Sequence, residues 1–514
     1  MVLFLSSIIS VTTLAQTRYV DEVFSEDEIV VMKDVFYNRN KTTFHPDSFP
    51  ELLTSPIFHI DTDLHLDIYM PDRSIDTVEE RPVVIIPHGG FFPPYFYNCW
   101  GSKEDLATSD LAYRLAKMGY VAIAPELRYG FDVFVNSDFE FIQSIMRFSI
   151  GRSIDLKNCA RFLRHDYAEL GNNYQIHPDK FVLWGTNNQF TMPYTTFYTN
   201  ESEFYTPFYN LFNFESSALE QVYDSTYFGG FEGLNNGFLD TTQTNIESEY
   251  PDYSGHFQLA VYHGTESYDS LFIQENEVPS IFFVSKHSLL YELESFFAIG
   301  PQDEYVVEVF FSNWVARKMD ELGNVDQWKG VQFSNPIANE RLVYPPDSTL
   351  GKIEGLYAIE GRPFVLRPWI YWDQDTCLMK AEEVAQSDLS FNTGMTIENG
   401  RSILDTMIQF FAPRACLTLD LGCEDILTST TEPTTIPISL SVAPNPTKGS
   451  IRLLSAADDP IRKVEIYDLN GQLMSTQKGY FSNQKELNLN AKAGFYLIKV
   501  ITTKGIGVQK IILH

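Results

Sequence analysis

The stretch "RPVVIIPHGGFF", Arg81 to Phe92, decides the fold. Val83 to Ile86 form an unbroken apolar run that ends in Pro87, His88 and two glycines. A strand with one wet face would alternate; a run apolar on both faces is what a central parallel strand requires. Upstream, "DLHLDIYMPD" (Asp63 to Asp72) does alternate, as a half-buried strand would. Downstream, Leu106, Leu111, Leu115 and Met118 recur at helical spacing, and Gly119 closes that helix before a second buried run, "VAIAPELRYG". The helical pattern "GRSIDLKNCARFLRHDYAELG" (Gly151 to Gly171) then leads through "IHPDK" into the strand "FVLWG". The order β-α-β-α-β predicts right-handed connections and a mostly parallel sheet with helices on both faces.

The chain has 514 residues, 44% hydrophobic and 20% charged, enough for one large core and one small domain. A formal charge of -31 disfavours nucleic acid and anionic membrane surfaces. Residues 1–15 read as a secretory signal: Val2 to Leu14 lean apolar, and Thr13 and Ala15 stand at the small positions before cleavage. Thirteen such residues are too few to span a bilayer, although no basic residue precedes Arg18. Five cysteines (Cys99, Cys159, Cys377, Cys416, Cys423) are too few and scattered for a disulfide framework or a zinc site. Of these, Cys416 and Cys423 could pair in an oxidising compartment, and a buried thiol is the expectation for most others.

Together, "LDIYMP", "HGGFF", "ELRYG" and "IHPDKFVLWG" resemble the secreted carboxylesterase branch of the α/β-hydrolase fold, from about Tyr19 to Phe190. The resemblance implies an α/β-hydrolase-like domain over 16–426, with His88, Gly89, Gly90 and Phe91 as its oxyanion loop. In such enzymes a strained G-x-S-x-G turn lifts a serine above the sheet, and backbone N–H groups of the glycine loop hold the oxyanion. Here the turn is Gly185-Thr186-Asn187-Asn188-Gln189. Asn187 stands at the nucleophile position, where an amide has neither an ionisable proton nor useful nucleophilicity. It does tolerate the left-handed backbone such a turn needs. Gln189 is longer than the small residue expected there, and Thr186 precedes the apex and should point away from the pocket. Asn188, beside the apex, is assigned with the loop to the pocket.

The fold also needs a histidine after its last strand. After Asn187 come only His256, His263, His287 and His514. If "VYHGTESYD" (Val261 to Asp269) is the acid-bearing strand, with Glu266 or Asp269, then His287 is the only base available. The alternative acid strand is "VPSIFFVSKHSLLYE", which carries no acid at the expected place. With serine and histidine both missing, turnover should fall by roughly 10⁶. No catalytic residue is assigned, and a catalytically degenerate esterase that binds a ligand is expected, with an atypical serine-independent ester hydrolase as the alternative.

His59, Asp61, Asp63, His65 and Asp67 share one strand face. Residues two apart on a strand lie about 7 Å apart, too far for more than two to reach one ion. No metal and no cofactor are therefore expected. Aromatic residues, 14% of the chain, gather in "FFPPYFYNCW" and "FTMPYTTFYTNESEFYTPFYNLFNF", beside the loop and the turn. Such rings among Asn, Thr and Ser suit a small ester, aromatic or carbohydrate ligand. Helices are expected over "YVVEVFFSNWVARKMDELG" and "IENGRSILDTMIQFFAPRAC", with the Trp-rich loop "LRPWIYWDQDTC" between them.

The Thr- and Pro-rich "LTSTTEPTTIP", 427–437, reads as a linker. Beyond it, alternating segments broken by Asn-Pro, Asn-Gly and Gly turns predict a small all-β sandwich over 438–514. Residues 436–514 hold 10 Lys/Arg against 5 Asp/Glu, which leaves 27 against 63 for the rest of the chain. Pro444-Asn445-Pro446, "YDLNGQ", Ala493-Gly494-Phe495-Tyr496 and the terminal "KIILH" resemble the C-terminal sorting domain of type IX secretion. That resemblance implies recognition by an outer-membrane translocon and secretion or surface attachment.

Overall fold

The computed structural model describes residues 17–42, 60–89, 100–129, 138–186, 191–197, 250–263, 266–267, 273–286, 295–299, 305–343, 352–360, 367–373, 375, 392, 394–423, 440–456, 461–468, 473–478, 483–489, 491–502 and 506–514. The chain divides into two compact units, residues 1–329 with 333–426 and residues 330–332 with 427–514.

In the first unit the strands are β1 (Ile29–Thr42), β2 (Ile60–Pro71), β3 (Arg81–Ile85), β4 (Val121–Pro125), β5 (Ile176–Thr186), β6 (Leu259–His263), β7 (Glu266–Ser267), β8 (Ser280–Ser285), β9 (Ser295–Ile299), β10 (Tyr305–Phe311), β11 (Leu342–Val343), β12 (Lys352–Ile353) and β13 (Leu356–Ile359). The helices are α1 (Leu106–Lys117), α2 (Asp138–Glu169), α3 (Thr191–Thr196), α4 (Ser312–Glu321) and α5 (Ile397–Leu419). Eight strands make one sheet in the order β1-β2-β4-β3-β5-β6-β8-β13. β1, β2 and β4 pair antiparallel, and every pairing from β4 to β13 is parallel. This is an α/β-hydrolase-like, mostly parallel sheet with helices on both faces.

Alternate residues of the buried strands feed two cores, as period-two geometry demands. Val83, Ile85, Ile123, Leu183, Tyr262 and Phe282 pack with Leu156, Cys159 and Leu163 of α2, Met192 of α3 and Val315 and Met319 of α4. The opposite face carries Trp184, whose ring lies 4.5 Å from Phe411 of α5. Helix α1 is on this second face, since Arg401 of α5 binds Asp110 (2.6 Å) and Tyr113 packs on Tyr69 of β2. Gly119 follows α1 at φ +102, the left-handed conformation that ends a helix.

Two expectations need correction. Helix α2 starts 13 residues before Gly151, which is therefore interior to a helix rather than its beginning. Glycine is required there for space: a Cβ at Gly151 would lie 2.7 Å from the Arg128 side chain. Likewise "YVVEVFF" is strand β10, and the helix begins only at Ser312. Five of those seven residues are Val or Phe, in the order V-V-x-V-F-F after the tyrosine, and β-branched and aromatic side chains favour a pleated surface over a helix.

The second unit contains β14 (Ser441–Ala443), β15 (Ser450–Leu454), β16 (Ile461–Tyr467), β17 (Leu473–Lys478), β18 (Gln484–Asn488), β19 (Gly494–Thr502) and β20 (Ile506–Leu513). They form two antiparallel sheets, β14-β15-β18 and β17-β16-β19-β20. Ile451, Leu453, Leu487, Val464, Ile498, Val500 and Ile511 fill the space between them. Asn445 joins the Asn-Pro turn to the terminal strand: its Nδ2 donates to the Lys510 carbonyl (2.7 Å) and its Oδ1 accepts from the Ile512 amide (3.0 Å).

Candidate functional site

Helix α1, which follows β3, lies on one face of the sheet, whereas α3, which follows β5, packs on the other. β3 and β5 are neighbours, so their chains leave the carboxyl edge in opposite directions. A crevice at such a switch point is where open α/β sheets bind ligands.

His88 and Gly89 follow β3 at this edge, both buried. Gly90 and Phe91, assigned to the same loop from sequence, lie outside the described residues. The His88 ring stacks on Tyr129, 5.5 Å away, and its Nδ1 lies 2.7 Å from the Gly89 carbonyl. A carbonyl only accepts, so Nδ1 carries the proton and Nε2, buried without a partner among the described residues, is an acceptor. Burial, aided by the Arg152 charge, lowers the His88 pKa to about 3, so the ring is neutral at pH 7. The Arg152 Nη2 donates to the His88 carbonyl (3.1 Å) and so holds the loop on α2. Burial lowers the Arg152 pKa to about 10, which leaves it charged.

Next to it, Asp155 of α2 accepts from Arg128 through Nε (2.9 Å), Nη2 (2.7 Å) and the backbone N–H (3.1 Å), and from Asn40 of β1 (3.1 Å). This buried cluster fixes the turn after β4. Sequence reading passed over Arg152 and Asp155. The available signal was helical spacing, because Asp155 stands four residues before buried Cys159 and hence on the apolar face, where a charge requires a partner.

At the neighbouring strand end β5 finishes at Thr186, and residues 187–190 separate it from α3 in sequence. Asn187 and Asn188, expected from sequence at the nucleophile position and beside it, lie outside the described residues, as does Gln189. The flanks are defined. A Cβ on Gly185 would lie 2.4 Å from Met192 Sδ, so glycine is what lets α3 pack on the strand end. Thr186 is in register with His263, the last residue of β6.

The sheet order changes the expectation about the base. "VYHGTESYD" contains β6, directly beside β5, and "SIFFVS" is β8, the next strand. A further parallel strand, β13, pairs with β8, so β8 is not the last strand. His287 follows β8, and the sequence after β13 holds no histidine until His514. His287 and Asp269 lie outside the described residues. His263 is a core residue that accepts a hydrogen bond from Trp184 Nε1 (2.6 Å), and burial lowers its pKa to about 3.

The acidic face of β2 is occupied by structural pairs: Asp63 with Arg39 (2.5 Å), His65 with Glu126 (3.4 Å) and Asp67 with Lys103 (2.6 Å). His59 lies outside the described residues, as does the side chain of Asp61. Among the described residues no cluster of three ligating side chains occurs. Cys416 and Cys423 form a disulfide, Cα atoms 6.0 Å apart, and burial pushes the free Cys159 thiol up. Among the described residues no helix is long and apolar enough to cross a membrane.

Sheet order and helix placement define an α/β-hydrolase-like body, joined in sequence to an antiparallel β-sandwich. Residues 441–514 match the secretion system C-terminal sorting domain family. The chain thus carries the type IX export signal: it is secreted or held at the cell surface, and its tail engages that machinery. A crystal structure of MGS-M1, an alpha/beta hydrolase enzyme from a Medee basin deep-sea metagenome library, aligns with 72% of this chain and 99% of its own, at 12% identity and TM-score 0.26. The fold assignment rests on the strand order rather than on that superposition. No curated protein sequence matches the chain.

Proposed function

We propose that this is an exported ligand-binding protein built on a hydrolase-like body that does not hydrolyse esters. The observation that carries this reading is the position of β13, the last parallel strand among the described residues: beyond Ile359 no histidine occurs before residue 514, so the segment that should deliver the base has none. Asn187 at the nucleophile position agrees with it. Residues 1–15 serve as the signal peptide and 427–437 as the linker. The ligand is a small ester, aromatic or carbohydrate molecule held between the His88-Gly89 turn and the segment that follows β5. The retained turn, with its buried neutral histidine, is what favours the competing reading of an atypical ester hydrolase.

Turnover of a nitrophenyl ester and labelling by a fluorophosphonate probe separate the two. The binding reading expects neither above the heat-denatured control. Turnover that disappears in His287→Ala would overturn it.

A further inference from the structure

At the carboxyl edge of β6, a second group of buried side chains is left incomplete. The Trp184 Nε1–H can only donate, so His263 Nε2 is the acceptor of their 2.6 Å bond and the neutral ring carries its proton on Nδ1. That Nδ1–H is buried and has no hydrogen-bond partner among the described residues. The ring of Trp369, from the Trp-rich loop, lies 5.6 Å from that of His263, and its Nε1–H is also buried and without a partner among the described residues. The two residues are 2% and 4% exposed, so solvent does not satisfy either donor. A buried donor left unpaired costs about 1–3 kcal/mol, which makes two neighbouring ones a feature in need of an acceptor.

A trapped water fits poorly. It could accept from both N–H groups, but its own hydrogens would face rings: His263 is flanked by Trp184, Phe283 and Trp369. A carbonyl oxygen accepts two hydrogen bonds and donates none. A carboxylate would also accept, but the donors are uncharged and the chain carries -31, so desolvating an anion here gains no opposite charge. The position agrees: His263 is the last residue of β6, in register with Thr186 at the end of β5, on the edge where ligands bind.

We propose that His263 Nδ1 and Trp369 Nε1 bind the carbonyl oxygen of a neutral acyl group, an ester or an amide, against the aromatic wall of Trp184 and Phe283. This inference rests on the reading of the body as ligand-binding and adds the chemical class of the group bound.

The test uses the full chain labelled with ¹⁵N in its six tryptophan indoles and titrated with N-methylacetamide, methyl butyrate and butyrate. The resonance lost in Trp369→Phe should move downfield saturably with the amide and the ester, and at least about tenfold more weakly with butyrate. His263→Phe should weaken the amide by about tenfold, while His263→Gln, which keeps one acceptor and one donor, should restore part of it. Should His263→Phe not fold, Trp369→Phe serves, read through the Trp184 indole that binds His263. A Trp369 resonance indifferent to all three probes, an unchanged response in His263→Phe, or a water cross-peak to Trp369 that no probe displaces would overturn the proposal. Ester turnover together with a responding Trp369 would instead sink the non-catalytic reading and leave this site standing.

Discussion

The buried histidines make the body acid-sensitive in a way one substitution can isolate. His263 has its pKa lowered by burial from 6.5 to about 3. The folded state therefore binds its proton less readily than the unfolded chain, and stability rises with pH across that window. Above about pH 6.5 the contribution is complete; it is lost progressively as the pH falls toward 3. At about pH 4.5 the unfolded imidazole is almost fully protonated and the folded one is not, a difference of about two pKa units, or about 3 kcal/mol. His88, lowered to about 3 by burial and the Arg152 charge, adds a similar amount.

His263→Gln can still accept from Trp184 but does not titrate. Urea unfolding of wild type and His263→Gln at pH 7 and pH 4.5, followed by tryptophan fluorescence, should show the variant losing about 3 kcal/mol less on acidification. Carboxylates contribute equally to both proteins and cancel in the difference. Equal acid sensitivity in the two proteins would refute the claim that His263 is held neutral in the core.

Three further outcomes follow from packing and clasps. Gly185→Ala should destabilise the body by about 1–3 kcal/mol, because its Cβ drives Met192 off the strand, and less in a Met192→Ala background. Asn445→Ala should cost the sorting unit about 1–3 kcal/mol and speed hydrogen exchange of the Ile512 amide, which loses its acceptor. Cys416→Ser should cost about 2–3 kcal/mol in thermal or urea unfolding, since the disulfide closes a short loop at the end of α5.

Much of the fold was legible because it is written in periodicity. Val83 to Ile86, Val121 to Pro125 and Phe181 to Trp184 are apolar on both faces, and only a sheet covered on both sides accommodates that. The two element errors differ in cause: in "YVVEVFF" local propensity already favoured the strand, whereas at Gly151 the deciding contact is not local. Gly151 looked like a helix start because nothing nearby in sequence shows that Arg128 must fit against it. The role of Asn445 was hidden in the same way. Its motif was readable, but the carbonyl and amide it binds belong to residues 65 and 67 positions later.

The candidate site was legible in part for a different reason. An absent residue type shows in sequence: Gly185 to Gln189 contains no serine wherever the turn lies. Loss of a role does not, because which histidine could serve depends on how many strands follow β5. Sequence alone allowed β8 to close the sheet, and then His287 would follow the last strand. A four-residue strand, Leu356–Ile359, changes that count, because it is short enough to escape periodicity yet pairs in parallel with β8. The same count moves attention to His263. A histidine at the carboxyl edge beside the turn would ordinarily invite a catalytic role, but its Nε2 is committed to Trp184 and its ring to the neutral form. What remains available there is a single N–H donor, which can hold a carbonyl but cannot take a proton from a nucleophile.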